Sequence, residues 1–298
     1  MLTELFWMTR PFNGLMAVMG VLIGGLVAVG LPGLHTMPFA LALIAAFLVN
    51  SAGNVINDYF DIEADRVNRP ERPIPAGKVS RGMALAFAFA LFIAGNLCAL
   101  MINGLCFTIA IANTILLILY SYSLQHKILI GNIVIGYLVG SVFLFGGAVF
   151  LQIRLVLILA ALAMLANITR EIVKDLDDIE GDKKHFLKKI TIKATKLIAE
   201  RFGISSEGVV MKYRERTMII IAIAMLMLAV VLSWLPYYYG IMKLSYFLVM
   251  IPADIVFVSC IYSLSREEKR RKGYRRISSR LKKGMLIALL AFIAGALV

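Results

Sequence analysis

Apolar residues along this chain gather into long unbroken stretches, unlike the alternation of a strand or the one-sided stripe of a surface helix. Nine stretches reach or approach the roughly 20 residues that a helix needs to cross about 30 Å of hydrocarbon. They lie near 12–31, 37–58, 82–102, 104–122, 132–152, 155–175, 217–236, 244–264 and 284–298. The ninth is short and is expected to stop at the membrane surface or to cross with little tilt. The connections alternate between very short and long, the long ones being 59–81, 123–131, 176–216 and 265–283. The pattern predicts an all-α polytopic membrane protein with about nine transmembrane helices in a single domain over 1–298.

Charge sharpens the topology. The four long connections carry 26 of the 31 Lys and Arg, and Arg10 precedes the first stretch. Cytoplasmic loops of membrane proteins carry such an excess, which places the amino terminus and the long loops in the cytoplasm. The net charge of +13 therefore reads as topology and contact with anionic lipid rather than as nucleic-acid binding. The run REEKRRKGYRRISSRLKK at 266–283 reads as a topological anchor. The basic segment 183–216 reads either as an interfacial helix or as a solvated loop. With 60% hydrophobic residues and a mean hydropathy of +0.85, an ordinary soluble domain is excluded. Cys98, Cys106 and Cys260 all lie in apolar runs without metal-ligand spacing and read as packing residues. The first apolar run is long enough to act as a signal anchor.

Two acidic clusters stand out. The second stretch ends in NVINDYFDIEADRVNRPERPIPAG and the sixth in REIVKDLDDIEGDKK. Asp58, Asp61 and Asp65 have offsets of three and four, and Asp175, Asp178 and Asp182 repeat them. On a helix such steps keep Asn54, Asn57, Asp58, Asp61 and Asp65 on one face. In the second cluster Lys174 stands where Asn57 stands in the first. The copies lie 117 residues and four stretches apart, so both leave the membrane on the same side. This is a four-helix internal repeat with one acidic stripe in each half.

Carboxylates packed together beside hydrocarbon repel one another and need a compensating cation. Hard oxygen ligands select Mg²⁺ or Ca²⁺, and Mg²⁺ usually takes one or two carboxylates together with waters and substrate phosphates. Two facing stripes would hold a diphosphate through bridging Mg²⁺. Arg66, Arg69, Arg72, Lys78, Arg170, Lys174 and Lys183 would neutralise the remaining phosphate charge. The plainer alternative is solvated acids paired with those same basic residues. The matching offsets of the two copies argue against it. A transporter for divalent cations or organic anions is the reading from another class. Transporters, however, place their ionisable groups near the bilayer midplane, whereas these acids sit at helix ends.

The motifs N-D-x-x-D-x-x-x-D and D-x-x-D-x-x-x-D, the RPFN entry at 10–13 and the segment NRPERPIPAGK at 68–78 resemble the UbiA superfamily of intramembrane prenyltransferases. Within it, NDYFDIEADRVNRPERPIPAGKVS and REIVKDLDDIEGDKK are most similar to the archaeal members that make ether lipids. The resemblance implies helices arranged around a central cavity, with the site opening to the cytoplasm under cap segments 59–81 and 176–216. It implies an isoprenoid diphosphate donor, Mg²⁺ as cofactor and a lipid acceptor. The expected reaction moves a geranylgeranyl group to the free hydroxyl of geranylgeranylglyceryl phosphate. A UbiA-type enzyme with an aromatic acceptor, in quinone or tetrapyrrole synthesis, is the alternative.

The resemblance also assigns roles. Asn57, Asp61, Asp65, Asp178 and Asp182 hold the Mg²⁺ ions, with Asp58 and Asp175 in support, and Asp61, Asp65, Asp178 and Asp182 form the catalytic core. Arg72, Lys78, Tyr120 or Tyr122 meet the diphosphate. Arg10, Asn13, Asn54, Lys127 and Lys174 complete the candidate substrate contacts. Two departures appear. Gln125 and His126 stand where the family commonly has lysine, with Lys127 late, and HFLKKITIKATKLIAERFGI replaces the family sequence after the second motif. Tyr59, Phe60, Phe143 and Phe145 are candidate aromatic faces for an allylic cation.

Overall fold

The computed structural model describes residues 1–181, 207–266 and 273–297. Those residues form helices joined by turns, with no strand among them. In chain order the helices are α1 (Leu2–Met8), α2 (Pro11–Val29), α3 (Met37–Phe60), α4 (Ile62–Asn68), α5 (Arg81–Ile102) and α6 (Gly104–Tyr122). They continue as α7 (Ile128–Val149), α8 (Ile153–Gly181), α9 (Glu207–Leu232), α10 (Leu235–Tyr238), α11 (Leu244–Ser265) and α12 (Tyr274–Leu297).

Among the described residues eight helices are long and apolar enough to cross a membrane: α2, α3, α5, α6, α7, α8, α9 and α11. The expected ninth is α12. It runs 24 residues, but it opens with YRRISSRLKK, which leaves its apolar portion short. The basic stretch at 266–283 is thus not all loop, because α12 begins inside it at Tyr274. Likewise α9 begins at Glu207, ahead of the apolar stretch it carries. Helices extend past the hydrocarbon wherever their polar ends stay hydrogen-bonded, which an apolar-run reading does not register.

Helix starts follow local capping chemistry. The Thr36 hydroxyl accepts from Phe39 N at 3.4 Å, the Ser80 hydroxyl from Met83 N at 3.2 Å, and Asn103 Oδ1 from Cys106 N at 2.8 Å. Asn103 also donates to the Ala148 carbonyl at 3.0 Å, tying the short α5–α6 connection to the end of α7. Helices α2 and α7 meet through small residues. A Cβ on Gly24 would strike the Phe143 carbonyl, and one on Gly146 the Val21 carbonyl. Close backbone approach of this kind drives helix association in lipid, where apolar burial alone gives little.

The described residues pack into three apolar clusters. One joins α7, α8, α9, α11 and α12 around Ile172, Leu226, Tyr246, Leu264 and Leu281. A second joins α2, α3, α5, α6 and α7 around Val21, Phe39, Ala99, Cys106 and Phe145. The third, of Leu5, Met8, Val55, Ile56, Ile62, Ile74 and Val79, fastens α1 and the 69–79 turn to α3 and α5. That last cluster underlies the acidic stripe.

Candidate functional site

Asp58 is on the last turn of α3 and Asp65 is on α4, and each is only 6% exposed. Between them the continuous helix expected from the sequence bends. At Asp61 the backbone leaves helical geometry (φ −84°, ψ 5°), so Asp61 ends α3 and starts α4. The hydrogen bonds Asp61 N to Asn57 O (2.9 Å) and Asp65 N to Asp61 O (2.8 Å) carry the chain through the bend. A short side chain tolerates this bridge region, and the bend brings Asp65 back beside Asp58.

Two arginines meet these carboxylates. Arg72 Nη1 donates to Asp58 Oδ1 at 3.0 Å and to Asp65 Oδ2 at 2.6 Å, while Arg10 Nη2 donates to the same Asp58 oxygen at 2.5 Å. Arg72 is held by the proline-rich turn after α4, where Lys78 N and Val79 N both donate to the Pro73 carbonyl. Ile74 and Val79 bury under the turn, and Gly77 takes the positive φ of 72° that it requires. Arg10 itself adopts a left-handed backbone (φ 49°, ψ 70°) between α1 and Pro11, the first residue of α2. That conformation is costly for a residue with a Cβ and persists where surrounding structure imposes it. Here it turns the Arg10 guanidinium onto Asp58.

A chain of amides runs inward from this charged end. Asn13 donates to Asn54 Oδ1 at 3.4 Å, and Asn54 donates to the Thr9 carbonyl at 3.0 Å and to Asn50 Oδ1 at 3.2 Å. Asn50 lies eight residues before Asp58. At 1.5 Å per helical residue that is about 12 Å deeper. It lines an apolar cavity between α2, α3, α6 and α7 whose other walls include Ala17, Val49, Leu117, Val142 and Phe145. The amide chain thus links the charged cluster to the cavity wall at Asn50.

Asn57 and Asp61 are joined by a residue that sequence reasoning treated only as a departure. Gln125 Oε1 accepts from Asn57 Nδ2 at 3.1 Å, and Gln125 Nε2 donates to Asp61 Oδ1 at 2.7 Å and to the Ser121 carbonyl at 3.2 Å. Asn132 was also missed; its buried amide donates to Asp175 Oδ2 at 2.8 Å. A lone amide at the start of an apolar span, as in GNIVIGY, was the available signal. Glu171 was not singled out either, and it accepts from Arg170 at 2.5 Å with Lys174 3.6 Å away. Tyr120 is within electrostatic reach of Glu171, Asp175 and Asp61, and so of both clusters. The Asp178 side chain and Asp182 lie outside the described residues, as do the His126 side chain and most of the 183–216 segment.

Other expected contacts fall elsewhere. Lys78 is exposed and pairs with Glu4 at 3.2 Å rather than with the acidic cluster. Tyr122 is 68% exposed and meets the edge of Phe60. Lys127 and Lys174 are exposed. Of the four candidate aromatics, Phe145 lines the cavity, Phe143 packs in a core, and Tyr59 is covered by Arg81 at 4.5 Å. Among the described residues no three carboxylates converge closely enough to cage a cation alone. Asn57 Oδ1 and Asp61 Oδ2 carry no side-chain hydrogen bond among those residues. They are hard oxygen donors of the kind that Mg²⁺ shares with substrate phosphates.

Among the described residues, a bundle of membrane-length helices with a charged cluster at the end of α3 and an apolar cavity farther along it has the makings of an intramembrane enzyme. A model of the UbiA prenyltransferase family matches residues 17–290, and the chain belongs to that family as a multi-pass membrane prenyltransferase. The digeranylgeranylglyceryl phosphate synthase of Methanopyrus kandleri is 40% identical over 291 residues, covering 97% of this chain and 98% of the relative. That of Methanosarcina mazei is 40% identical over 299 residues, with 96% of each chain covered. A solved structure reported for digeranylgeranylglyceryl phosphate synthase in membranes superposes with a TM-score of 0.83 at 35% identity, covering 99% of this chain and 98% of the other. A UbiA homolog from Archaeoglobus fulgidus, solved with GPP and Mg²⁺ bound, shares the fold at 15% identity and a TM-score of 0.62, covering 96% of this chain and 99% of the other.

Proposed function

We propose that this chain transfers a geranylgeranyl group from geranylgeranyl diphosphate to the free hydroxyl of geranylgeranylglyceryl phosphate, closing the second ether bond of an archaeal lipid. The observation that carries the reading is the meeting of Arg10 and Arg72 with Asp58 and Asp65 at the end of the helix, α3, whose Val49 and Asn50 line the apolar cavity. A prenyl diphosphate has that same polarity, a dense anion on a hydrocarbon tail. Near-full-length identity of 40% to two synthases named for this product supports the choice of acceptor.

Asn57, Asp61 and Asp65, with Asp175, Asp178 and Asp182 from the second motif, would hold Mg²⁺ on the cytoplasmic side. Bound there, the metal supplies Lewis-acid stabilisation of the charge that develops on the departing diphosphate. Arg72 and Arg10 leave their carboxylates for phosphate oxygens, exchanging one charge-assisted hydrogen bond for another. Tyr120, near both motifs, would offer its hydroxyl to a phosphate oxygen. The apolar cavity would keep water away, so that once the allylic C–O bond breaks the carbocation meets the acceptor rather than a water molecule. The acceptor oxygen forms the new bond, and its proton leaves with the diphosphate. With Arg10 given to the diphosphate, Lys127 and the basic 183–216 segment would supply cations to the acceptor phosphate.

The test is purified protein in lipid given C10, C15 and C20 diphosphates in all pairings with geranylgeranylglyceryl phosphate and with aromatic acceptors. The expected result is Mg²⁺-dependent pyrophosphate release, coupled to digeranylgeranylglyceryl phosphate and greatest for the C20 donor. Product only with a ring acceptor overturns the acceptor assignment. No product at all, together with Mg²⁺ flux into liposomes, overturns the enzymatic reading of the site.

A further inference from the structure

We infer that Gln125 is a positioning residue that presents the oxygens of Asn57 and Asp61 to a divalent cation, an inference that rests on the metal-binding reading just given. Gln125 lies in the single 3₁₀ turn Leu124–His126 between α6 and α7. Its carboxamide is used at both ends. The oxygen takes the Asn57 amide N–H at 3.1 Å, and the nitrogen serves Asp61 Oδ1 at 2.7 Å and the Ser121 carbonyl at 3.2 Å.

The consequence is chemical. An asparagine amide rotates between two faces of nearly equal shape, one presenting oxygen and the other N–H. Only the oxygen face binds a cation. Because the Asn57 nitrogen is committed to Gln125, its Oδ1 is turned to the opposite side. Because Gln125 holds Asp61 Oδ1, rotation of that carboxylate is limited and Oδ2 is left for the ion. A neutral amide does this without adding a positive charge that would compete with the metal, as a lysine at this position would. Ordered outer partners of this kind commonly set ligand orientation at metal sites.

The turn is itself held firmly. Lys127 N donates to the Leu124 carbonyl at 2.9 Å, and Gly131 N to the Lys127 carbonyl at 2.7 Å. Gly131 leaves room for the turn to close on α7, since a Cβ there would come within 2.8 Å of the Leu124 carbonyl.

The experiment measures Mn²⁺ binding by electron paramagnetic resonance on the purified full chain, with inorganic pyrophosphate present. Gln125→Met keeps the length and loses all three bonds; it is expected to raise the Mn²⁺ concentration for half-saturation roughly tenfold, the scale of a hydrogen bond to a charged group. Gln125→Asn, too short to span both partners, is expected to do the same, so that poor folding of one variant leaves the other. Both should melt within a few degrees of the parent. Adding Gln125→Met to Asn57→Ala should weaken binding less than it does in the parent, because the route through Asn57 is already lost and only that through Asp61 remains. Parental Mn²⁺ affinity in Gln125→Met, alongside lost binding in Asp61→Asn, overturns the inference and leaves the proposed function standing. Absence of Mn²⁺ binding by the unaltered protein with pyrophosphate overturns both.

Discussion

Arg72 bridges Asp58 and Asp65 through one nitrogen, at 3.0 and 2.6 Å, although the two acids sit on different helices either side of a bend. All three side chains are largely withdrawn from water, with exposures of 17%, 8% and 9%. The arginine therefore does two things: it holds the bend at Asp61 closed, and it stores a cation beside the acids of the proposed metal and diphosphate site. Arg72→Met should leave the near-buried Asp65 without a cation and Asp58 with Arg10 alone. Breaking a buried pair in this way costs about 3–5 kcal/mol when fully enclosed, and roughly 2 kcal/mol is expected at this partial exposure. A fall in melting temperature together with loss of prenyl transfer is the expected outcome. Loss of activity without any thermal shift would confine Arg72 to phosphate binding.

Asp61→Asn and Asp178→Asn should each reduce Mg²⁺-dependent pyrophosphate release by at least about a hundredfold, the scale of removing one preorganised charge from a transition state. Both variants should keep the parental circular dichroism and elution volume. Near-parental rates in both would refute the metal clamp.

Arg10 and Lys78 looked alike as candidate phosphate contacts, yet they stand in different surroundings. Arg10 reaches Asp58 from a left-handed backbone, and Lys78 reaches only Glu4 across exposed surface. Exposed pairs contribute about 0–1 kcal/mol, so Lys78→Ala should change kcat/KM less than about threefold. Arg10→Ala should lower it by about tenfold or more, mainly through the KM for the diphosphate. Steady-state kinetics on the two variants distinguish these positions, and equal losses would return Lys78 to the site.

Much of this arrangement was legible in the chain because it depends on local pattern. Apolar length marked the spans, and the three-then-four spacing of Asp58, Asp61 and Asp65 marked the stripe that α3 and α4 carry. The bend at Asp61 was not legible, since the residues around it are compatible with unbroken helix. It is imposed by contacts made 7 to 64 residues away, through Arg72 and Gln125. The same holds for the Asn132 bond to Asp175 and for Lys78 turning to Glu4, which depend on how α7 meets α8 and where α1 lies. Partner choice among polar groups is a tertiary outcome. Spacing along one helix shows which groups share a face and says nothing of what comes to meet it.

The α2–α7 contact offers a test of the fold separate from the chemistry. Gly24 and Gly146 lie where the two helices touch backbone to backbone, away from the acidic motifs. A Cβ at either would meet a carbonyl rather than a side chain able to swing aside, so one helix must move. Such overpacking typically costs about 1–3 kcal/mol. Gly24→Val and Gly146→Val should therefore lower the melting temperature in detergent. Gly20 faces Val142 Cγ2 in the same interface, and Gly20→Ala, a single methyl against a side chain rather than an isopropyl group against backbone, should cost less than either. Because these helices also wall the cavity, the surviving fraction of Gly24→Val should show a shifted preference among C10, C15 and C20 donors with an unchanged Mg²⁺ requirement. A raised Mg²⁺ requirement would mean that the helix contact and the charged end are mechanically coupled.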